Sequence, residues 1–164
     1  MIVVTGVPGT GKTSVARILS KRLSLPLIEV NQLVRQKKLF TGKENNSLIV
    51  DMKRLALELK GFNGIVEGHV LCELKLPATV VVLRASPRSL KRRLAPRCYS
   101  RQKLQDNIES EALDYCAIHA SKNYKKIIQV DTTGLSPAQA AAKTLRYLET
   151  KKSDSIDWSE YFMK

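Results

Sequence analysis

A short β-branched run, Ile2-Val3-Val4-Thr5, passes without a break into Gly6-Val7-Pro8-Gly9-Thr10-Gly11-Lys12-Thr13, and few architectures accommodate such a junction. The second segment has the spacing of a phosphate loop: Gly, four residues, Gly-Lys, then Thr. Glycines there let the backbone turn tightly and aim several N–H groups at one anion. A helical pattern follows at Val15, Ile18, Leu19 and Leu23. A helix that opens at Lys12 or Thr13 adds its positive dipole end to the same spot. Lys12 can then reach β- and γ-phosphates, and the Thr13 hydroxyl can ligate Mg²⁺. A glycine-rich turn that merely links strand to helix is the weaker reading. The junction predicts a site for a nucleoside triphosphate.

The rest of the chain alternates in the same way. After helix one comes Pro26 and a short strand, Leu27–Val30. Asn31 can cap a helix over Gln32–Leu39. The polar stretch 41–47 reads as a loop, and a helix carrying Leu48, Met52, Leu55 and Leu59 opens near Ser47. Ile65-Val66 is a short buried strand, and Thr79–Leu83 the clearest strand of all. Ser86-Pro87 starts a helix to about Leu94. A long helix is expected from about Arg101 to Lys122, with His119 on its packed stripe. Lys126–Val130 is the last strand, and a helix follows Pro137 to Glu149. Strands alternating with helices predict an α/β fold, a parallel sheet with helices on both faces. Ligands of such folds bind at the carboxyl ends of the strands.

Size and composition limit the rest. The chain has 164 residues, enough for one domain with a sizeable core. No apolar run approaches the roughly 20 residues that span a bilayer, and residues 2–4 lead into a strand rather than a secretory signal. No membrane association is expected, and the protein should stay in the compartment where it is made. Cys72, Cys98 and Cys116 form no Cys-x-x-Cys pair, so reduced structural thiols are expected. The net charge of +13 exceeds what one nucleotide needs and makes an anionic macromolecule a plausible neighbour. Arg84, Arg88, Lys91, Arg92, Arg93, Arg97, Arg101 and Lys103 are the densest cations. They read equally as RNA contacts or as an inner lid face plus a solvated helix face.

A second motif, Glu67-Gly68-His69, ends the apolar strand at Val66. A carboxylate there can hold Mg²⁺ through its water shell or orient a water. Together with the phosphate loop, Glu29-Val30-Asn31-Gln32-Leu33-Val34-Arg35 and Pro96-Arg97-Cys98-Tyr99-Ser100-Arg101-Gln102-Lys103-Leu104-Gln105-Asp106-Asn107-Ile108, it resembles the P-loop nucleoside monophosphate kinases. The likeness runs over residues 1 to about 150. It looks closest to the adenylate kinase isoenzyme six family, also called the coilin-interacting nuclear ATPases, which has archaeal members. Four positions depart from that family's usual pattern: Glu67 stands for Asp, Cys98 for Gly, and Asn31-Gln32 for Gly-Asp.

The resemblance implies a three-layer fold whose five parallel strands lie in the order 2-3-1-4-5, in a single domain over 1–164. It implies donor ATP and Mg²⁺ at Gly9, Gly11, Lys12, Thr13 and Ser14. A monophosphate region of about 29–52 would use Arg35, and a lid of about 97–107 would bring Arg97 onto the ATP phosphates. Glu67 would serve the metal through water, and His69 the positioning of water; a neutral His bonded to backbone is the plainer reading of His69. The implied activity is adenylate or broader nucleoside monophosphate kinase chemistry with ATPase activity. The implied setting is late maturation of the small ribosomal subunit, with a small-subunit ribosomal protein and pre-ribosomal RNA as partners. The location would be cytoplasmic, or nuclear as in eukaryotic relatives. A switch ATPase with little kinase activity and a small-metabolite kinase of the shikimate or gluconate type are the alternatives. Ile156, Trp158, Tyr161 and Phe162 suggest a short amphipathic tail element over 151–164 that folds back onto the domain, with a partner's groove as the alternative.

Overall fold

The computed structural model describes residues 1–44 and 47–163. Strands form at β1 Ile2–Thr5, β2 Leu27–Glu29, β3 Phe40–Glu44, β4 Ser47–Val50, β5 Ile65–Glu67, β6 Thr79–Arg84 and β7 Lys126–Asp131. Five of them make one parallel sheet in the order β2-β5-β1-β6-β7. Counted among those five alone, the order is the expected 2-3-1-4-5. The helices are α1 Lys12–Leu23, α2 Val30–Gln36, α3 Met52–Leu59, α4 Pro87–Leu94, α5 Arg101–Ala112, α6 Tyr115–Asn123 and α7 Pro137–Thr150.

Successive side chains of a strand point to opposite faces, and here both faces are apolar. Val3, Val66, Val80 and Val82 join a core with Leu55, Leu71, Leu90 and Ile108. Val4, Ile65, Val81 and Leu83 join a second core with Val15, Leu19 and Ala141. A sheet apolar on both faces must be covered on both, which is why the helices divide into two layers. Their starts are fixed by short polar side chains. Ser86, Ser100 and Ser136 each accept from the backbone N–H three residues on, and the last is completed as a capping box by Gln139.

Several boundaries differ from expectation. Helix α2 begins at Val30, so Asn31 lies inside it, and Leu39 leaves the helix to enter the core. Phe40–Glu44 and Ser47–Val50 pair as an antiparallel hairpin. Leu48 is therefore a strand residue, and α3 starts only after Asp51, whose side chain caps Arg54 N–H. The expected loop at 41–47 is strand on both sides of Asn45-Asn46, which lie outside the described residues. The predicted helix from Arg101 to Lys122 is two helices. Asp114 sits at φ 56° between them, and its carboxylate bonds Arg84. An ion pair reaching into the core thus breaks a helix that periodicity alone would have continued. His119 is half-buried and rests against the Tyr115 ring at 4.3 Å between centroids.

The tail folds back, as expected. Asp154 N–H donates to Gln129 O and Ser153 Oγ accepts from Gln129 N–H, both on β7. Asp154 also bonds Tyr147 and Lys143 on α7. Further on, the Trp158 indole N–H donates to Glu111, and Tyr161 meets Gln105 on α5. Cys72 and Cys116 are buried and Cys98 is exposed, all three as free thiols. Among the described residues no helix is long and apolar enough to cross a membrane.

Candidate active site

The carboxyl ends of β1 and β5 place both sequence motifs on one rim of the sheet. Gly6 leaves β1 at φ 136°, and a Cβ there would lie 2.3 Å from Leu83 O, so no other residue fits the close strand packing. Gly11, at φ 94°, has nothing within 4 Å of a Cβ position. It faces open space at the mouth of α1, where unpaired helix N–H groups gather. The Lys12 ammonium donates to Val7 O at 3.0 Å across the loop. Burial lowers its pKa, with Glu67 as the main opposing charge.

The loop is braced from behind by residues that the sequence reading did not single out as a site. The Thr132 hydroxyl lies 3.1 Å from Thr10 O and 2.8 Å from Arg84 O. Arg93 of α4 donates to Thr132 O at 2.6 Å and reaches Gly9 O at 3.4 Å. These contacts tie the loop to the end of β7 and to α4. The tie crosses 122 residues of sequence, and no spacing rule could have found it.

Glu67 closes the floor. It is 3% exposed. Thr13 Oγ1 donates to its Oε1 at 3.2 Å, while Oε2 is buried with no partner among the described residues. Burial raises this carboxyl's pKa, and Lys12 and Thr13 work against the rise. An orphaned buried carboxylate oxygen beside a hydroxyl is costly unless something binds it. Oxygen donors of this kind, in small number, suit Mg²⁺, which keeps most of its waters and takes phosphate oxygens as well. The donor set therefore fits the expected metal. Gly68 follows directly, and a Cβ there would meet Val30 Cβ at 2.9 Å, so α2 packs onto the motif only because the side chain is absent.

His69 opens a 3-10 turn, His69–Glu73, and its carbonyl accepts from Thr5 Oγ1 at 3.1 Å. Its ring faces the open cleft. The surrounding walls, followed by the Lys12 and Lys103 charges, lower its pKa to about 4, so it is neutral near pH 7.

All nine residues expected to bind or act line one cleft of about 920 Å³: Gly9, Gly11, Lys12, Thr13, Ser14, Arg35, Glu67, His69 and Arg97. Arg35 comes from α2 and Arg97 from the turn before α5, so two further elements bring cations to the cleft. The hairpin wall (Glu44, Ser47, Leu48, Val50) falls within the expected monophosphate region and the α5 wall (Gln102, Lys103, Asp106, Asn107) within the expected lid, as segments rather than as single contacts. That Phe40–Glu44 and Ser47–Val50 pair as strands was missed, because the polar stretch 41–47 reads as a loop. The expected lid is short: only 98–100 lie between the Arg97 turn and α5. Of the dense cations, Arg84 is buried, and Arg93 is half-buried and turned onto Thr132 and Gly9. Arg84 is 1% exposed and paired with Glu111 and Asp114. Arg88, Lys91, Arg92 and Arg101 are exposed. A second, smaller groove of about 180 Å³ adjoins the loop on its other flank, lined by Gly9, Gly11, Arg93, Thr132, Leu135 and Pro137 among others.

Residues 2–114 match a family described as an AAA domain. A protein of Thermococcus onnurineus named "Putative adenylate kinase" is 33% identical over 171 residues, covering 100% of this chain and 94% of that protein. Among solved structures, the YorR protein of Bacillus subtilis in complex with phosphorylated GDP superposes with a TM-score of 0.64 at 21% identity, covering 92% of this chain and 96% of that one. A shikimate kinase of Aquifex aeolicus gives 0.59 at 19% identity, with coverage of 92% and 96%. At such identities the two structures show the shared α/β fold.

Proposed function

The chain belongs to the AAA-domain family, within the P-loop nucleoside monophosphate kinase superfamily, and on that premise we propose that it transfers a phosphoryl group from ATP to a nucleoside monophosphate, AMP first among the candidates. The observation that carries this reading is the cleft itself. One chamber is lined both by the phosphate loop, with Lys12 and Thr13, and by Arg35 of α2, a second cation for a second phosphate group. A hydrolase needs only the first of these.

In this reading the loop amides and Lys12 bind the donor's β- and γ-phosphates, and Ser14 extends the same helix mouth. The smaller groove takes the donor's base, with Arg93 over it and Leu135 and Pro137 below. Thr13 and Glu67 would hold Mg²⁺, which when bound offsets phosphate charge and fixes the triphosphate's shape. Arg35 holds the acceptor phosphate, and the apolar faces of Val34, Leu48 and Val50 receive the acceptor's nucleoside. Arg97, exposed on the short turn, brings a guanidinium to the transferring group as the cleft closes. Transfer of this kind is mostly a matter of alignment and charge, because the transition state carries its charge on phosphoryl oxygens. Neutral His69 cannot add a fixed cation; it can orient a water or the acceptor oxygen through one ring nitrogen.

Slow ATP hydrolysis is the expected side reaction when no acceptor fills the Arg35 end. A role in small-subunit ribosome maturation, with a ribosomal protein or pre-ribosomal RNA as partner, rests on the family resemblance and on the +13 charge. Capture from extract with and without ATP tests it. Recovery of neither a ribosomal protein nor ribosomal RNA counts against it.

Product analysis decides the main reading. ATP with AMP should give ADP far faster than ATP alone, and ADP alone should disproportionate to ATP and AMP. An ATP-to-ADP rate indifferent to any nucleoside monophosphate leaves only the hydrolase.

A further inference from the structure

Lys103 joins two walls of the cleft that have no other side-chain bond between them among the described residues. Its ammonium donates to Ser47 Oγ, at the start of β4, at 2.9 Å. The same ammonium lies 5.0 Å from the centre of the Tyr99 ring, a cation–π distance. Its backbone is held firmly: Lys103 N–H donates to the Ser100 cap, and Asn107 Nδ2 donates to Lys103 O at 2.6 Å. The root of the side chain is thus fixed at the first turn of α5, and only the long stem is free to move.

The partner it has is a weak one. A neutral hydroxyl offers an ammonium no opposite charge, whereas a phosphate oxygen does, so phosphate is the stronger partner. The cleft walls around it also carry Arg35 on α2 and the carboxylates of Glu44 and Asp106, the second already accepting from Gln102 at 2.7 Å. Lys103 lines the same cleft as His69 and the phosphate loop, and its bond to Ser47 sets it against the hairpin wall.

We propose that Lys103 is a positioning residue for the acceptor: its ammonium leaves Ser47 for the acceptor's phosphate, which it then grips opposite Arg35. The proposal rests on the phosphotransferase reading above and adds how the acceptor is held. Before acceptor binding, the Lys103–Ser47 bond ties α5 to the hairpin. Afterwards the phosphate joins α5 to α2 through Lys103 and Arg35, and the tie to the hairpin is released.

Three variants test this, with AMP as the probe. Lys103→Gln should raise KM for AMP about tenfold, the size expected for one charge-assisted contact, and leave KM for ATP within about twofold. Lys103→Arg should restore most of the loss. Ser47→Ala removes the competing hydroxyl, so it should leave KM for AMP unchanged or lower it about two- to threefold. Calorimetric titration of AMP into each variant gives the same comparison without turnover. A Lys103→Gln protein that binds AMP like the parent overturns the proposal, as does a Ser47→Ala protein that loses AMP affinity as severely as Lys103→Gln. If the parent transfers no phosphoryl group, the kinase reading fails, yet AMP titration still decides about Lys103. A parent that binds no AMP overturns both.

Discussion

Replacing Glu111 by Gln removes one charge from a buried ion pair, Arg84–Glu111, at the edge of which Asp114 meets solvent. Arg84 and Glu111 are each 1% exposed. Arg84 Nε donates to Glu111 Oε1 at 2.7 Å, and its other nitrogens reach Asp114, Gln129 Oε1 and Glu111 O. The same Oε1 also accepts from Ala85 N–H at 3.1 Å and Trp158 Nε1 at 3.3 Å. Burial opposes the guanidinium's charge, and the two carboxylates outweigh it, so Arg84 stays protonated. Breaking a buried pair typically costs about 3–5 kcal/mol, because the surviving charge is left uncompensated. Asp114 remains bonded here, which brings the expected loss to about 2–4 kcal/mol. For a chain of this size each kcal/mol moves Tm by about 2–4 °C, so Tm should fall by roughly 5–15 °C. Urea and thermal unfolding followed by fluorescence of Trp158, the single tryptophan, reads both the stability and the tail contact. The combined variant Arg84→Met, Glu111→Leu, Asp114→Asn removes the whole charged set and should recover much of the loss. A Glu111→Gln protein within about 1 kcal/mol of the parent, or a combined variant no more stable than the single one, refutes the account.

Three further outcomes are expected. Gly6→Ala forces a Cβ to 2.3 Å from Leu83 O at φ 136°. It should cost about 2 kcal/mol or more and abolish ATP binding in calorimetry; normal stability and binding would contradict the close packing. Glu67→Gln should lower kcat about 10²-fold while the Kd for ATP stays within about threefold; equal loss of both would make Glu67 a purely structural floor. Burial works against the Asp154 carboxylate, but Lys143, the Asp131 N–H and the Tyr147 hydroxyl outweigh it and hold its pKa below the ordinary 3.8. A lowered carboxyl stabilises above its unfolded value and loses that contribution as pH falls through its folded one. The tail should therefore stay docked down to pH 3.8 and come loose below it, read by Trp158 emission. Asp154→Asn should show a looser tail at neutral pH and no such acid step; identical acid profiles would remove Asp154 from the explanation.

What the chain made legible follows from the range of its interactions. The phosphate loop is local: twelve consecutive residues, 2–13, carry strand, turn and helix start, and their geometry needs no distant partner to be read. The five sheet strands are nearly as plain, because burial on both faces leaves unbroken apolar runs such as Thr79–Leu83. The sequence motifs also converge, since Glu67, His69, Arg35 and Arg97 line the same cleft as Lys12. Where the reading failed, a long-range contact outweighed local pattern. The stripe through Leu104, Ile108, Ala112 and Cys116 describes a continuous helix, but Asp114 is drawn toward Arg84, 30 residues away. Leu48 fits a helical stripe with Met52 and Leu55, but pairing with Lys43 makes it a strand residue. Arg93 looked like one cation among many, and only the fold aims it at Thr132 and Gly9.

The position of residues 153 and 154 along β7 has a consequence for solubility. Strand β7 ends the order of the sheet, so its outer row of N–H and C=O groups would otherwise be a template for another chain. The backbone of Asp154 and the hydroxyl of Ser153 occupy part of that row at Gln129, and the Asp154 carboxylate takes the N–H of Asp131. A protein shortened to end at Lys151 would bare this margin next to an apolar interior. It should self-associate by strand pairing, with a concentration-dependent rise in β-type infrared absorption, while its nucleotide cleft remains intact.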